Sequence, residues 1–269
     1  MALEIMTIAS SSKGNCIIIR NDSITLLVDA GVSLTYLKSS LKYYQRDRND
    51  IDGIIITHEH IDHISGLKRI CSNYDIPVFG NRSAINMISE RLDIDMKSYD
   101  ISESGFSVGN IDIQPFRTRH DSIYSLGYSF MDKSSKISVA TDLGCMTKGV
   151  YNNLSGSDIV FLESNHDEDM LINGTYPAYL KKRILSSSGH LSNECCSKTV
   201  LELSGSGTSV FILGHLSENN NTRRLAYSAT ADRLIGNGLK MGSEIILDVA
   251  APRYGYISYS TDNQIRQII

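Results

Sequence analysis

Apolar and polar positions are grouped differently at the two ends of the chain. Three apolar runs come first, over 3–9, 15–20 and 23–29, with Asn21-Asp22 as a turn between the last two, and they predict a β-meander. Ser33 then stands as a helix N-cap ahead of Leu34, Leu37 and Leu41, which fall at helical spacing. The run 53–57 contains Ile54-Ile55-Ile56 and predicts a strand buried on both faces. From there helices and strands alternate. Helices are expected over 64–72, 83–92, 177–185, 192–203 and 219–235, and strands over 77–79, 111–116, 126–130, 137–141, 159–162, 210–213 and 245–249. This is the order of an α/β (α+β) chain. There is no Pro- or Ser-rich linker, and Ser204-Gly205-Ser206-Gly207 is short enough to be a turn between helix and strand. Residues 1–269 are therefore expected to form a single domain built of two mixed β/α halves.

Composition narrows the class. Of 269 residues 41% are apolar and 21% charged, which excludes disorder as an account of the whole chain. With 26 Lys plus Arg against 30 Asp plus Glu the net charge is −4, which argues against indiscriminate coating of nucleic acid and leaves room for a local basic path. No basic stretch precedes a long apolar run near residue 1, and no window reaches about 18 uninterrupted apolar residues, so neither secretion nor a membrane span is expected. The five cysteines, Cys16, Cys71, Cys145, Cys195 and Cys196, are odd in number and scattered, as reduced cytoplasmic thiols would be.

The chemistry lies in the seven histidines. A lone histidine is usually a structural or surface group. Thr57-His58-Glu59-His60-Ile61-Asp62-His63 is different, because it puts three imidazoles and two carboxylates directly after an apolar strand. In an extended segment His58 and His60 point the same way, and a turn into the next helix returns Asp62 and His63 towards them. Donors of this mix suit two adjacent Zn²⁺ or Mn²⁺ ions.

This segment resembles the HxHxDH motif of the metallo-β-lactamase superfamily. The resemblance implies a four-layer αβ/βα sandwich. It also implies that Asp29 orients ligand histidines, and that His120, Asp142 and His215 complete the metal set. One divalent ion would then take His58, His60 and His120, the other Asp62, His63 and His215, with Asp142 bridging. Two such metals lower the pKa of a bridging water, which Asp62 would help to orient, and hold both oxygens of a hydrolytic displacement. Cys145, three residues past Asp142, is read as packing rather than ligation.

Substrate must be read from other residues, since the fold hosts many hydrolases. Glu163, at a strand end, and His190, in Ser188-Gly189-His190-Leu191-Ser192, resemble elements of tRNA-maturing nucleases of the superfamily, where the pair assists the leaving oxygen. The loop with Ser12, Lys13 and Asn15 offers hydroxyl, cation and amide groups for a phosphate. Basic residues cluster at Arg117 and Arg119, at Lys181-Lys182-Arg183 and at Arg223-Arg224. Over most of its length the chain is similar to the YycJ/WalJ-type branch of small stand-alone 5′ to 3′ DNA exonucleases. His166, in Glu163-Ser164-Asn165-His166-Asp167, belongs to that branch's pattern and is expected at a substrate phosphate or the rim of the metal site. Thr222 stands where that pattern has Pro, and Lys13 where some relatives have a small residue. The stretches from Asp142 to His190 and from His190 to His215 leave no space for an inserted nuclease domain.

The expectation is a dinuclear metal-dependent phosphodiesterase acting on nucleic acid, DNA in preference to RNA. A hydrolase of small esters, thioesters or cyclic phosphodiesters is the alternative, and the acidic charge favours it. A non-catalytic metal-binding protein is the third reading.

Overall fold

The strand β2 (Gly14–Arg20) turns Ile17 and Ile19 to one side and Cys16 and Ile18 to the other, and all four are buried. It carries an apolar run because both of its faces are covered. The same holds for its sheet neighbours β1 (Glu4–Ser11), β3 (Thr25–Val28) and β4 (Gly53–Ile55). With β5 (Val78–Gly80), β6 (Ser98–Asp100) and the late strand β14 (Ser258–Ser260) they make a seven-stranded sheet in the order β14-β1-β2-β3-β4-β5-β6. A second seven-stranded sheet has the order β13-β12-β11-β10-β9-β8-β7. It comprises β7 (Phe106–Val108), β8 (Ile111–Arg117), β9 (Leu126–Asp132), β10 (Ser135–Ala140), β11 (Ile159–Glu163), β12 (Val210–Gly214) and β13 (Ile246–Val249). The computed structural model describes residues 2–44, 50–101, 104–253 and 255–262.

The sheets face each other across one core, where Ile5, Ile19 and Val28 of the first pack with Tyr128, Phe130, Val139 and Phe161 of the second. On the outer face of the first sheet lie α1 (Leu34–Tyr43), α3 (Leu67–Asn73) and α4 (Arg82–Leu92), burying Leu37, Leu41, Ile70 and Ile88. Outside the second lie α5 (Lys148–Leu154), α8 (Asn193–Ser204) and α9 (Arg223–Gly236), burying Leu154, Val200, Leu203 and Leu234. The expected four-layer αβ/βα sandwich is the observed one. No helix among the described residues is long and apolar enough to cross a membrane.

Two features place the site. Strands β3 and β4 run parallel, as do β10, β11, β12 and β13, so loops following their C-terminal ends gather at one edge of the sandwich. The helix expected over 64–72 is instead split into α2 (Ile61–Ile64) and α3. Gly66 makes the break because a Cβ there would lie 1.8 Å from Val32 O, so this backbone crossing admits no side chain. The helix expected from 219 begins only at Arg223, where the hydroxyl of Thr222 accepts from Leu225 N as its cap. Sequence reading missed β6, β7, β14, α5 and the short helix α6 (Glu168–Asn173).

Candidate metal centre

The heptad delivers its side chains as its spacing implies. His58 leaves the end of β4 fully buried, His60 is the N-cap of α2, and Asp62 and His63 lie in that helix's single turn. The rings of His58 and His60 are 4.5 Å apart, and His60 Nδ1 lies 3.2 Å from His120 Nε2. Donor atoms of His58, His60 and His120 thus converge within 4.8 Å of one another, and so do those of Asp62, His63 and His215. Asp142 stands between the two groups, its Oδ2 3.1 Å from His63 Nε2 and its Oδ1 3.4 Å from His120 Nε2.

A second ring of partners fixes these donors. Asp29 Oδ2 accepts from His63 Nδ1 at 2.6 Å, while Asp29 Oδ1 accepts from Thr57 N at 2.8 Å. His120 Nδ1 donates to Gly189 O at 3.0 Å, which leaves Nε2 for the site. His215 Nδ1 lies 2.8 Å from Glu163 Oε1, and so does His190 Nδ1. The other oxygen of Glu163 accepts from Leu143 N and Leu191 N. Sequence reading paired Glu163 with His190 alone and missed its bond to His215.

Charge in this cluster is strongly displaced. Burial holds His58 neutral, its pKa well below the usual value, reinforced by His63. Burial also works against protonation of His63, but Asp29, Asp62 and Asp142 override it and raise that pKa well above the usual value. His215 behaves alike, with Asp142, Asp62 and Glu163 overriding burial to push it up to about 10. Burial would raise the Glu163 carboxyl, yet His190 and His215 hold it down at about 2. His58 Nε2 is buried with no hydrogen-bond partner, and Asp142 Oδ2, also buried, has only the ion-pair contact with His63 Nε2 at 3.1 Å. Unsatisfied donors and acceptors this deep are expensive unless something else engages them. A neutral imidazole nitrogen and carboxylate oxygens aimed at common points fit divalent cations of the Zn²⁺ or Mn²⁺ type, and the donor set lacks thiolates.

The backbone is strained at the same places. Asp29, Asp142 and His215 have φ of 62°, 55° and 54°, three of the five non-glycine positive values among the described residues. Each follows the C-terminal end of a strand, where the left-handed turn redirects the side chain.

The residues expected to meet substrate are divided by the structure. Ser12 and Lys13 are exposed at the rim, with Lys13 paired to Glu218 across the mouth. Asn15 lies inside the site rather than at its rim. It is 4% exposed, and its amide donates to Ser11 O at 2.9 Å and Asp62 Oδ2 at 3.1 Å, so it positions Asp62. His166 is enclosed as well. At 1% exposure its ring is sealed from solvent, neither nitrogen has a partner, and burial lowers its pKa. Its backbone instead bridges to Ser192 and accepts from Asn193 N. Here lies a network that sequence reading missed. Asn193 and Asn221 exchange side-chain hydrogen bonds, Ser164 donates to Asn193, and Asn165 donates to His215 O. It knits the loops after β11 and β12 to the start of α8 behind the histidines. Cys145 joins no group of converging donors. Among the basic clusters, Arg183 pairs with Asp121, Arg117 stacks on Tyr124, and Arg119 is exposed.

Comparison with known proteins agrees with this fold. Residues 25–216 match the family model described as a beta-lactamase superfamily domain. The chain is 32% identical to the exodeoxyribonuclease YycJ of Bacillus anthracis, over 94% of this chain and 97% of that protein. It is 33% identical to the exodeoxyribonuclease WalJ of Streptococcus pneumoniae serotype 2, over 87% and 89%. The crystal structure of the metallo-beta-lactamase fold protein YhfI from Bacillus subtilis has the same fold, with a TM-score of 0.70 at 15% identity, over 97% of this chain and 100% of that one. The chain belongs to the metallo-β-lactamase superfamily and is a metal-dependent hydrolase.

Proposed function

We propose that this enzyme is a dinuclear phosphodiesterase of the cytoplasm that degrades DNA from the 5′ end. His58, His60 and His120 would hold one divalent cation, Zn²⁺ or Mn²⁺, and Asp62, His63 and His215 a second, with Asp142 shared. When bound, the pair supplies an acidified water and electrophilic stabilisation of developing charge. The chain's own groups do the remainder. Asp29 keeps the Nδ1 proton of His63 engaged, so Nε2 is the donor nitrogen. Asn15 steadies Asp62, which orients the attacking water. Glu163 holds the Nδ1 proton of His190, leaving Nε2 to serve the departing oxygen as a proton carrier.

The observation that carries the reading is the place of His190. It is partly exposed, its ring is 5.0 Å from that of His120 and 5.4 Å from that of His215, and it is braced by a carboxylate shared with His215. A partly exposed imidazole beside the cluster suits a proton carrier for a leaving oxygen. Ser12 and Lys13 at the rim supply phosphate contacts. The similarity to two exodeoxyribonucleases along nearly the whole chain supports DNA as substrate. Scattered free cysteines are consistent with a reducing compartment.

A second reading, a hydrolase of small phosphodiesters or esters, draws on the neutralisation of two rim cations, Lys13 by Glu218 and Arg183 by Asp121. One experiment separates the two. Purified protein loaded with Mn²⁺ is given oligonucleotides labelled at either end, alongside bis(p-nitrophenyl) phosphate. Mononucleotide release from the 5′ end is expected. Turnover of the small diester with every DNA left intact would replace the first reading with the second.

A further inference from the structure

A pair of short helices fringes the mouth of the site. α6 is followed by α7 (Ala178–Ile184), and the pair is fastened on two sides. Before α7, Asn219 in the loop beyond His215 donates to the hydroxyl of Tyr176 at 2.8 Å. At its other end Arg183 pairs with Asp121, the residue after His120. Lys181 ties the two helices together by donating to Ile172 O at 2.7 Å. The pair therefore reaches from the loop carrying one candidate ligand to the loop carrying another.

Its outer surface is unusual. Ile184 is the buried side of α7, while Tyr179 is 75% exposed, the largest exposure among the large apolar side chains described. Lys182 and Arg183 follow Tyr179 by three and four residues, so ring and cations share one face of the helix. Because Arg183 reaches Asp121, that face is continuous with the mouth of the site. Other large side chains are exposed singly elsewhere, but Tyr179 is the most open and shares its helix face with Lys182 beside the mouth of the site.

We infer that α7 is a landing surface for single-stranded nucleic acid, on which Tyr179 stacks against a base while Lys182 takes a neighbouring phosphate, leading the strand end to His190. This rests on the proposed nuclease reading and adds to it the form of the substrate. The chemistry favours a single strand over a duplex. An aromatic ring needs an open base face, which paired and stacked bases withhold, whereas unpaired bases of any sequence offer one. Lys182, one helical turn from the ring, sets a cation beside the stacked base for a phosphate of the same strand.

The test compares steady-state kinetics of the metal-loaded enzyme on a 5′-phosphorylated single strand and on a blunt duplex of the same sequence. Tyr179→Ala is expected to raise KM for the single strand about fivefold or more. Tyr179→Phe should keep the wild-type KM, and Tyr179→Leu should behave like the alanine variant. Lys182→Ala should flatten the dependence of KM on salt. Tyr227→Ala, an exposed tyrosine on α9, serves as control and should match the wild type. A wild-type KM in Tyr179→Ala, or an equal rise on the blunt duplex, overturns the landing surface while leaving the nuclease reading intact. Wild-type enzyme that turns over neither DNA overturns both, and that outcome is seen before any variant is made.

Discussion

His190 and His215 meet at a single atom, for the Nδ1 of each lies 2.8 Å from Glu163 Oε1. A residue expected to move a proton and one expected to grip a cation are thus set by the same carboxylate, which is itself fixed by the amides of Leu143 and Leu191. The two roles separate by mutation. Glu163→Gln should lower both metal affinity and turnover, by about 10- to 100-fold. His190→Ala should lower turnover by about 10²- to 10⁴-fold with metal content unchanged. Metal analysis of the purified variants beside their kinetics checks this, and loss of metal from His190→Ala would make His190 a ligand instead.

Asp29 combines a charge role with a backbone role. Its carboxylate holds His63, and its φ of 62° is tolerated by asparagine better than by other residues with a side chain. Asp29→Asn should therefore weaken metal binding about 10- to 100-fold in a chelator competition and lower the metal-free melting temperature, since buried His63 loses its counter-charge. Asp29→Ala should melt earlier still, because alanine also pays the left-handed strain of about 1 kcal/mol or more without a compensating bond.

Metal uptake should expel protons. In the metal-free protein His63 and His215 are held protonated near neutral pH, yet both must be neutral to ligate. Calorimetry at pH 7.5 in buffers of different ionisation enthalpy should report release of about two protons, with affinity rising from pH 6 to pH 9. Stability of the metal-free form should run the other way. A histidine whose folded pKa is raised from 6.5 to about 10 contributes fully below pH 6.5, and its contribution is lost as pH climbs towards 10. Melting temperatures in chelator should fall across that window and hardly move in loaded protein. A flat metal-free profile would contradict the charge assignment.

Gly31 tests how closely the heptad is held. A Cβ there would lie 1.6 Å from Asp62 O, so Gly31→Ala must push α2 away from the β3 loop. The expected cost is about 1 to 3 kcal/mol of stability, together with weaker binding at the Asp62–His63–His215 group. Urea unfolding and metal titration read the two effects, and unchanged binding would show that α2 can shift without moving its donors.

Much of this was legible because it is local. Strand after strand is apolar at successive positions, and the histidine heptad encodes its own convergence through period two followed by one helical turn. What escaped depends on partners distant in the chain. β6 is three exposed residues with no pattern of its own, and α5 buries only Val150 and Leu154 behind the cap of Thr147. The break at Gly66 is imposed by Val32, and the left-handed turns at Asp142 and His215 leave no mark in composition. Asn15 read as a phosphate contact and His166 as a rim residue because loops are normally open. The first is turned inward onto Asp62, and the second is sealed beneath the asparagine network.

The two sheets contribute unequally placed parts of one centre. Asp29 and His58 to His63 belong to the first, while His120, Asp142, Glu163, His190 and His215 belong to the second, and each candidate ion draws donors from both. An ion so placed would act as a rivet between the halves, and it can be driven only after both have been formed and packed face to face. A nascent chain that has emerged only through β6 carries the most recognisable heptad in the sequence and still has no complete cation seat. Hydrolysis at such a centre would thereby wait until the two halves have closed on each other.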